Sequence, residues 1–89
     1  MPRKTVGMAT SDKALRILTL SELRDAWVEE LSESPELTCD DLRMRLRLRG
    51  LKAKGGNRKG EIRNIHSAAT NDDRIAKLRP GTFRLAHRQ

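Results

Sequence analysis

Leu20, Leu23, Trp27 and Leu31 recur at intervals of three and four residues, the spacing that lines one face of a helix. Ala14, Leu15 and Leu18 fall off this stripe at about 100° per residue, so a helix is expected to start near Thr19 and not earlier. The stretch TLSE has the form of a capping box, with Thr19 as N-cap and Glu22 three residues on. Glu22, Asp25 and Glu29 cluster on the face opposite the stripe, and SESPEL ends the helix near Ser32. A second start signal follows in TCDDL, where Thr38 is an N-cap and Asp40 and Asp41 fall in the first turn, favouring the positive helix end.

Between Leu42 and Arg49, leucine or methionine alternates with arginine. Strict alternation is what a strand shows, yet the run holds no β-branched or aromatic residue, and Leu, Met and Arg are good helix formers. Gly50 followed by Leu51 has the form of a C′ glycine with its hydrophobic contact. The expectation is a helix sandwiched between neighbours, with Leu42 and Leu46 on one side and Met44 and Leu48 on nearly the opposite one. KAKGGNRKG reads as a turn, and Asn57 as the cap of a third helix to about Thr70, on which Ile62, Ile65 and Ala69 form a narrow apolar stripe. NDD ends that helix. RIAKL and FRLA read as short strands around RPGT, with Pro at position i+1 and Gly at i+2 of the turn. The fold class is therefore α+β, mainly helical: three helices and a short C-terminal β-hairpin in one domain over residues 13–89. Residues 1–12, polar and basic without periodicity, read as a flexible arm.

Composition narrows this picture. With 89 residues the chain can build one small core, and Trp27 and Phe83, its only aromatic residues, are expected to have fixed packing roles. Cys39 is the sole cysteine, which excludes an intramolecular disulfide and a cysteine-cluster zinc site. No stretch has the length of a signal-peptide core or a membrane span, so a soluble, cytoplasmic protein without membrane association is expected. The net charge of +7 is unevenly spread: residues 1–20 carry +3, residues 21–41 carry −7 and residues 42–89 carry +11. An acidic block followed by a basic one points to two functional faces, the basic one suited to nucleic acid at the nucleoid.

The Leu20, Leu23, Ala26 helix, the phrase LTCDDLRMRL leading to RGL, and the closing KLRPGTFRLA together resemble the HARE-HTH class of winged helix-turn-helix domains. That class includes the N-terminal domain of the bacterial RNA polymerase delta subunit. The resemblance spans residues 20–86 and implies a winged helix concerned with nucleic acid; some members of the class act through protein partners. The arginine density of residues 42–49 and the KAKGGNRKG turn exceed the pattern of that class.

On such a fold the third helix is the expected reading helix. Its polar arc offers Lys59, Arg63, Asn64 and Ser67 for base contact: Arg63 presents a fork to guanine and Asn64 can pair with adenine. Arg43, Arg45, Arg47, Arg49, Lys52, Lys54 and Arg58 form a run with no acid between them, suited to phosphates, and Arg79 and Arg84 would extend it from the hairpin. Glu22, Asp25 and Glu29 are either a solvated surface or the docking face for a basic protein partner or another copy. GGNRKG lacks the preceding strand and the Lys-Ser/Thr ending of a nucleotide-binding loop. Cys39 reads as structural, His66 as a half-buried packing residue and Trp27 as core, which disfavours single-strand binding by stacking. Paired carboxylates, nucleophile–base sets and metal spacing are missing, so a non-enzyme without cofactor, metal or small-molecule ligand is expected. The leading expectation is a duplex-DNA-binding regulator or nucleoid-associated factor. The alternatives are a protein-interaction module using the acidic helix one, for instance on RNA polymerase, and a structured-RNA binder.

Overall fold

Each helix begins where a side chain satisfies the backbone donors its first turn leaves open. In the computed structural model, which describes residues 15–86, Thr19 accepts from the Glu22 amide while its own amide donates to the Glu22 carboxylate, and α1 runs Leu20–Leu31. Thr38 and Asp41 form the same reciprocal box at the start of α2, Cys39–Leu48. Asn57 accepts from the Gly60 amide and opens α3, Arg58–Thr70. Such caps are worth about 1 kcal/mol each. The basic arm over residues 1–12 lies outside the described residues.

The strands are short. β1 (Arg16–Ile17) pairs in parallel with β3 (Leu51–Lys52). β2 (Leu37–Thr38), β4 (Ile75–Arg79) and β5 (Thr82–Leu85) form an antiparallel sheet in the order β2-β5-β4. The β4–β5 hairpin turns through Pro80 and Gly81, and Gly81 has the positive φ, 78°, that position i+2 demands. Its register places Lys77 opposite Phe83 and Ala76 opposite Arg84, with a shift between Lys77 and Arg79 that leaves Leu78 as an extra residue. The two-residue strands β1, β2 and β3 are not foreshadowed in the sequence, because two residues are too few to show a period.

The core is built mainly from one face of each helix. Leu23, Ala26, Trp27 and Leu31 of α1 meet Leu42 and Leu46 of α2 and Ile65, Ala68 and Ala69 of α3, closed by Leu37, Ile75 and Phe83 of the sheet. Trp27 and Phe83 pack edge to face with ring centroids 5.2 Å apart. The Trp27 indole N–H donates to the Ile65 carbonyl at 2.9 Å, so the one polar atom of that ring is satisfied inside the core. His66 sets its ring edge-on against Phe83 at 5.5 Å. Residues 42–48 are helical with Arg49 as the C-cap, but α2 is not sandwiched: Leu42 and Leu46 are fully buried while Met44 and Leu48 are 59 % and 88 % exposed. Hydrophobic burial on one side is enough to hold it.

Two carboxylates lie inside this shell. One is Glu61, on α3. The other is Asp72, just past the end of α3, which accepts from the Arg74 backbone amide and guanidinium and from Arg24 of α1. The hydrogen bonds from Arg74 hold the Asp72 carboxyl well below the usual carboxylate range, against the opposing effect of burial. An unfolded chain binds a proton at this aspartate near about pH 4, whereas the folded one does so only at lower pH. The stability it contributes is thus complete above about pH 4 and is lost as the pH falls below it. In denaturant titrations Asp72→Asn is expected to be less stable than the parent at pH 7, with the gap closing toward pH 3; a gap of constant size would show that the charge of Asp72 is not what stabilises this corner.

Candidate nucleic-acid interface

Helix α3 is anchored at its first turn. Gly55 has φ 152°, and a Cβ there would stand 2.5 Å from the Glu61 amide nitrogen, so only glycine lets the preceding loop pass this close to the helix. Gly60 faces Gly55 and the Asn57 cap, where a Cβ would make only ordinary contacts of 3.4 Å. From this anchor α3 turns Lys59, Arg63 and Thr70 fully outward and leaves His66 and Ser67 half-buried at the edges. Asn64, expected on the reading arc, lies at its margin: its amide nitrogen donates to the carbonyls of Lys54 and Gly60. Ser67 accepts from the Asn71 side chain.

Arginines 43 to 49 sort into two groups. On a helix at about 100° per residue, Arg43 and Arg47 fall on one side of the buried Leu42–Leu46 stripe and Arg45 and Arg49 on the other. The first pair reaches Glu61, where Arg47 donates to the carboxylate and to the Leu51 carbonyl, Arg43 lies at 3.7 Å and Lys52 joins at 3.8 Å. The second pair reaches α1: Arg45 binds Glu30 and Ser34, and Arg49 binds Glu29 and Glu30. Arg58 pairs with Asp40, and Arg79 with Glu36. The self-repulsion implied by an acid-free run of cations is therefore absent, because the acids arrive from other elements. The acidic side of α1 is answered in the same way: Glu22 by Arg16, Asp25 by Arg74 and Glu29 by Arg49.

Lys54, Lys59, Arg63, Lys77 and Arg84 remain. All are exposed, and none has a carboxylate within ion-pair distance among the described residues. Lys59 and Arg63 stand on the outward face of α3, and Lys54 is tied to it through the bond from Asn64. Lys77 is opposite Phe83 in the sheet. Register partners share a face, and Phe83 touches His66, so Lys77 lies on the α3 side of the hairpin. Arg84 is opposite Ala76, on the other face. Lys77 escaped the sequence reading, although in IAKLR it shares the inward period with Ile75, an odd place for a lysine unless it has a use.

Other chemistry is sparse. Cys39 is buried, and burial, reinforced by the charge of Asp40, pushes its thiol up to about 11, so it stays protonated at neutral pH. Among the described residues no group of three metal-ligating side chains assembles and no helix is long and apolar enough to cross a membrane. No protein-family model, curated protein or solved structure matches the chain.

The Glu61 cluster gives a sharp expectation. Removing one member of a buried ion pair leaves the other charge uncompensated, at a cost of about 3–5 kcal/mol, whereas exposed pairs contribute about 0–1 kcal/mol. Glu61→Ala should destabilise the fold by the larger amount and Arg58→Ala by the smaller, as read from urea unfolding. Equal effects would mean that the buried pair has no special weight.

Proposed function

We propose that the protein binds duplex DNA as a winged helix, with α3 in the major groove. The observation that carries this reading is the distribution of unpaired cations: of the five left free among the described residues, Lys59 and Arg63 lie on α3 and Lys54 and Lys77 on its two flanks, with Arg84 alone on the other face of the hairpin. The order β1-α1-β2-α2-β3-α3-β4-β5, with β5 between β2 and β4, is compatible with a winged helix, in which the third helix is the one presented outward. At about 1.5 Å per residue the 13 residues of α3 reach about 20 Å, enough to lie along a groove about 12 Å wide. Arg63 is placed for base edges, and Lys59, Lys54 and Lys77 for the phosphates on either side. The hairpin turn is only Pro80 and Gly81 between Arg79 and Thr82, and Arg79 is already held by Glu36, so the wing supports α3 and does not reach into a minor groove. Docking of a basic partner on α1 is the weaker reading, since Glu22, Asp25 and Glu29 each already have an arginine. A regulatory or architectural role follows from whether binding discriminates between sequences.

The test is a salt series with labelled duplex. Each phosphate neutralised adds about −0.9 to the slope of log affinity against log salt. Lys59→Ala, Lys77→Ala and Arg63→Ala are each expected to weaken binding and flatten the slope by up to that amount. Arg45→Ala and Arg49→Ala are expected to leave it unchanged. On a selected site Arg63→Ala should also lose about 1–3 kcal/mol of discrimination against random duplex. Equal losses across all five variants would show that internal pairing does not decide which cations bind. Tighter binding to duplex RNA than to DNA would replace this reading with structured-RNA recognition.

A further inference from the structure

Two apolar patches lack a neighbour within the described chain, and their rims carry opposite charge. The first is a groove of about 500 Å³ between the start of α1 and the flank of α3. Leu18 and Leu23 form its floor, Ile17 and Leu20, 56 % and 50 % exposed, form its lip, and Lys54 stands on the far wall beside Asn64. The second is on α2, where Met44 and Leu48 protrude one turn apart beside a cavity of about 410 Å³ that Pro35, Leu37 and Asp41 help to line. Asp41 makes no ion pair among the described residues and is the free charge of that rim, since Glu36 is bound by Arg79 and Arg45, the one cation lining the cavity, is bound to Glu30 and Ser34. Each patch thus presents apolar knobs beside a hollow, one with a cationic wall and one with an acidic wall.

We infer that the two patches bind each other between copies of the chain: Met44 and Leu48 of one copy seat in the Ile17–Leu20 groove of the next, with the acidic rim facing Lys54. Charge selects this pairing, because either patch against itself would set like charges together. The two faces are different surfaces, so the contact is heterologous and propagates from copy to copy, whereas a symmetric contact would stop at two. With two protruding side chains on each face, the buried area falls in the weak class, below about 1,200 Å², and association is concentration-dependent. The inference does not rest on DNA binding, and its test omits DNA.

Sedimentation of the full chain over a concentration series reaching about 1 mM should show a weight-average mass that keeps rising past the dimer. Leu20→Glu and Leu48→Lys each place a repelling charge on one face; both positions are exposed, and each charge suits its helix end. Either variant alone is expected to be monomeric. An equimolar mixture should form one-to-one pairs, because the intact groove of the Leu48→Lys chain meets the intact α2 face of the Leu20→Glu chain. A mixture that stays monomeric overturns the proposal, as does a parent chain that is monomeric throughout, which would leave the groove to residues 1–14 or to a different protein. A dimer abolished by one variant and untouched by the other overturns it in favour of a symmetric contact. Should either variant unfold by circular dichroism, Ile17→Glu and Met44→Lys make the same complementary pair.

Discussion

The carboxylate of Glu61 is the interaction on which the placement of α3 depends. It is 2 % exposed, and a charge buried alone would cost several kcal/mol. Arg47, Arg43 and Lys52 converge on it from α2 and β3 and compensate it in an otherwise apolar arc. Arg47 also ties the Leu51 carbonyl, so one guanidinium joins α2, β3 and the first turn of α3. The remaining oxygen, Glu61 Oε1, faces the Arg43 Nε at 3.7 Å, and neither atom has a hydrogen-bond partner among the described residues. That separation is close enough for Coulomb attraction but beyond a hydrogen bond. Three cations around one carboxylate leave an excess of positive charge under the base of α3.

The same cluster orders the electrostatics of the surface. Were Glu61, Glu29 and Glu30 absent, the arginines of α2 would be the strongest basic feature of the molecule. With them in place, α2 is a structural helix fastened on both flanks, and the basic character passes to the cations without partners around α3. Asp72 does for the far end of α3 what Glu61 does for its start, joining Arg24 of α1 and Arg74 at the entry to β4. The outward face of α3 is therefore held at both ends by buried carboxylates while its own charged side chains are left free, an arrangement that favours a rigid binding helix.

What the sequence revealed divides by range. The three N-caps, the Gly50 C′ position and the Pro80–Gly81 turn were legible because each depends on residues within four positions of one another. The apolar stripes were legible in part: Leu23, Trp27 and Leu31 of α1 and Ile65 and Ala69 of α3 are buried, whereas Leu20 is exposed, Ile62 is only partly buried, and Ala26 and Ala68 take inward places. The ion pairs were not: Glu61 lies 14 residues from Arg47, and Asp72 lies 48 from Arg24. Glu61 looked like one more polar position, although it sits in register with Ile65, Ala68 and Ala69. A glutamate at an inward helical position, in a chain with surplus arginine, was the signal available for the cluster. Asn64 and Ser67 were placed on the reading arc by angle alone, and a hydrogen bond from Asn64 to the Lys54 loop and a local one from Asn71 to Ser67 decide their orientation instead.

The alternation of residues 42–49 is resolved by electrostatics as much as by propensity. As a strand, Arg43, Arg45, Arg47 and Arg49 would share one face at about 7 Å intervals, a ladder of like charge needing a continuous acidic partner that no part of this chain supplies. Wound into a helix, the same period-two pattern breaks into pairs four residues apart, because two steps carry a residue about 200° around the axis and four bring it nearly back. Leu42 and Leu46 become the buried stripe, one pair of arginines flanks it on each side, and each pair meets a carboxylate from a different helix. Met44 and Leu48 are left opposite the stripe, facing outward. Their exposure follows from the same geometry that neutralises the arginines: with both flanks closed by ion pairs, the fourth side of α2 meets no element among the described residues.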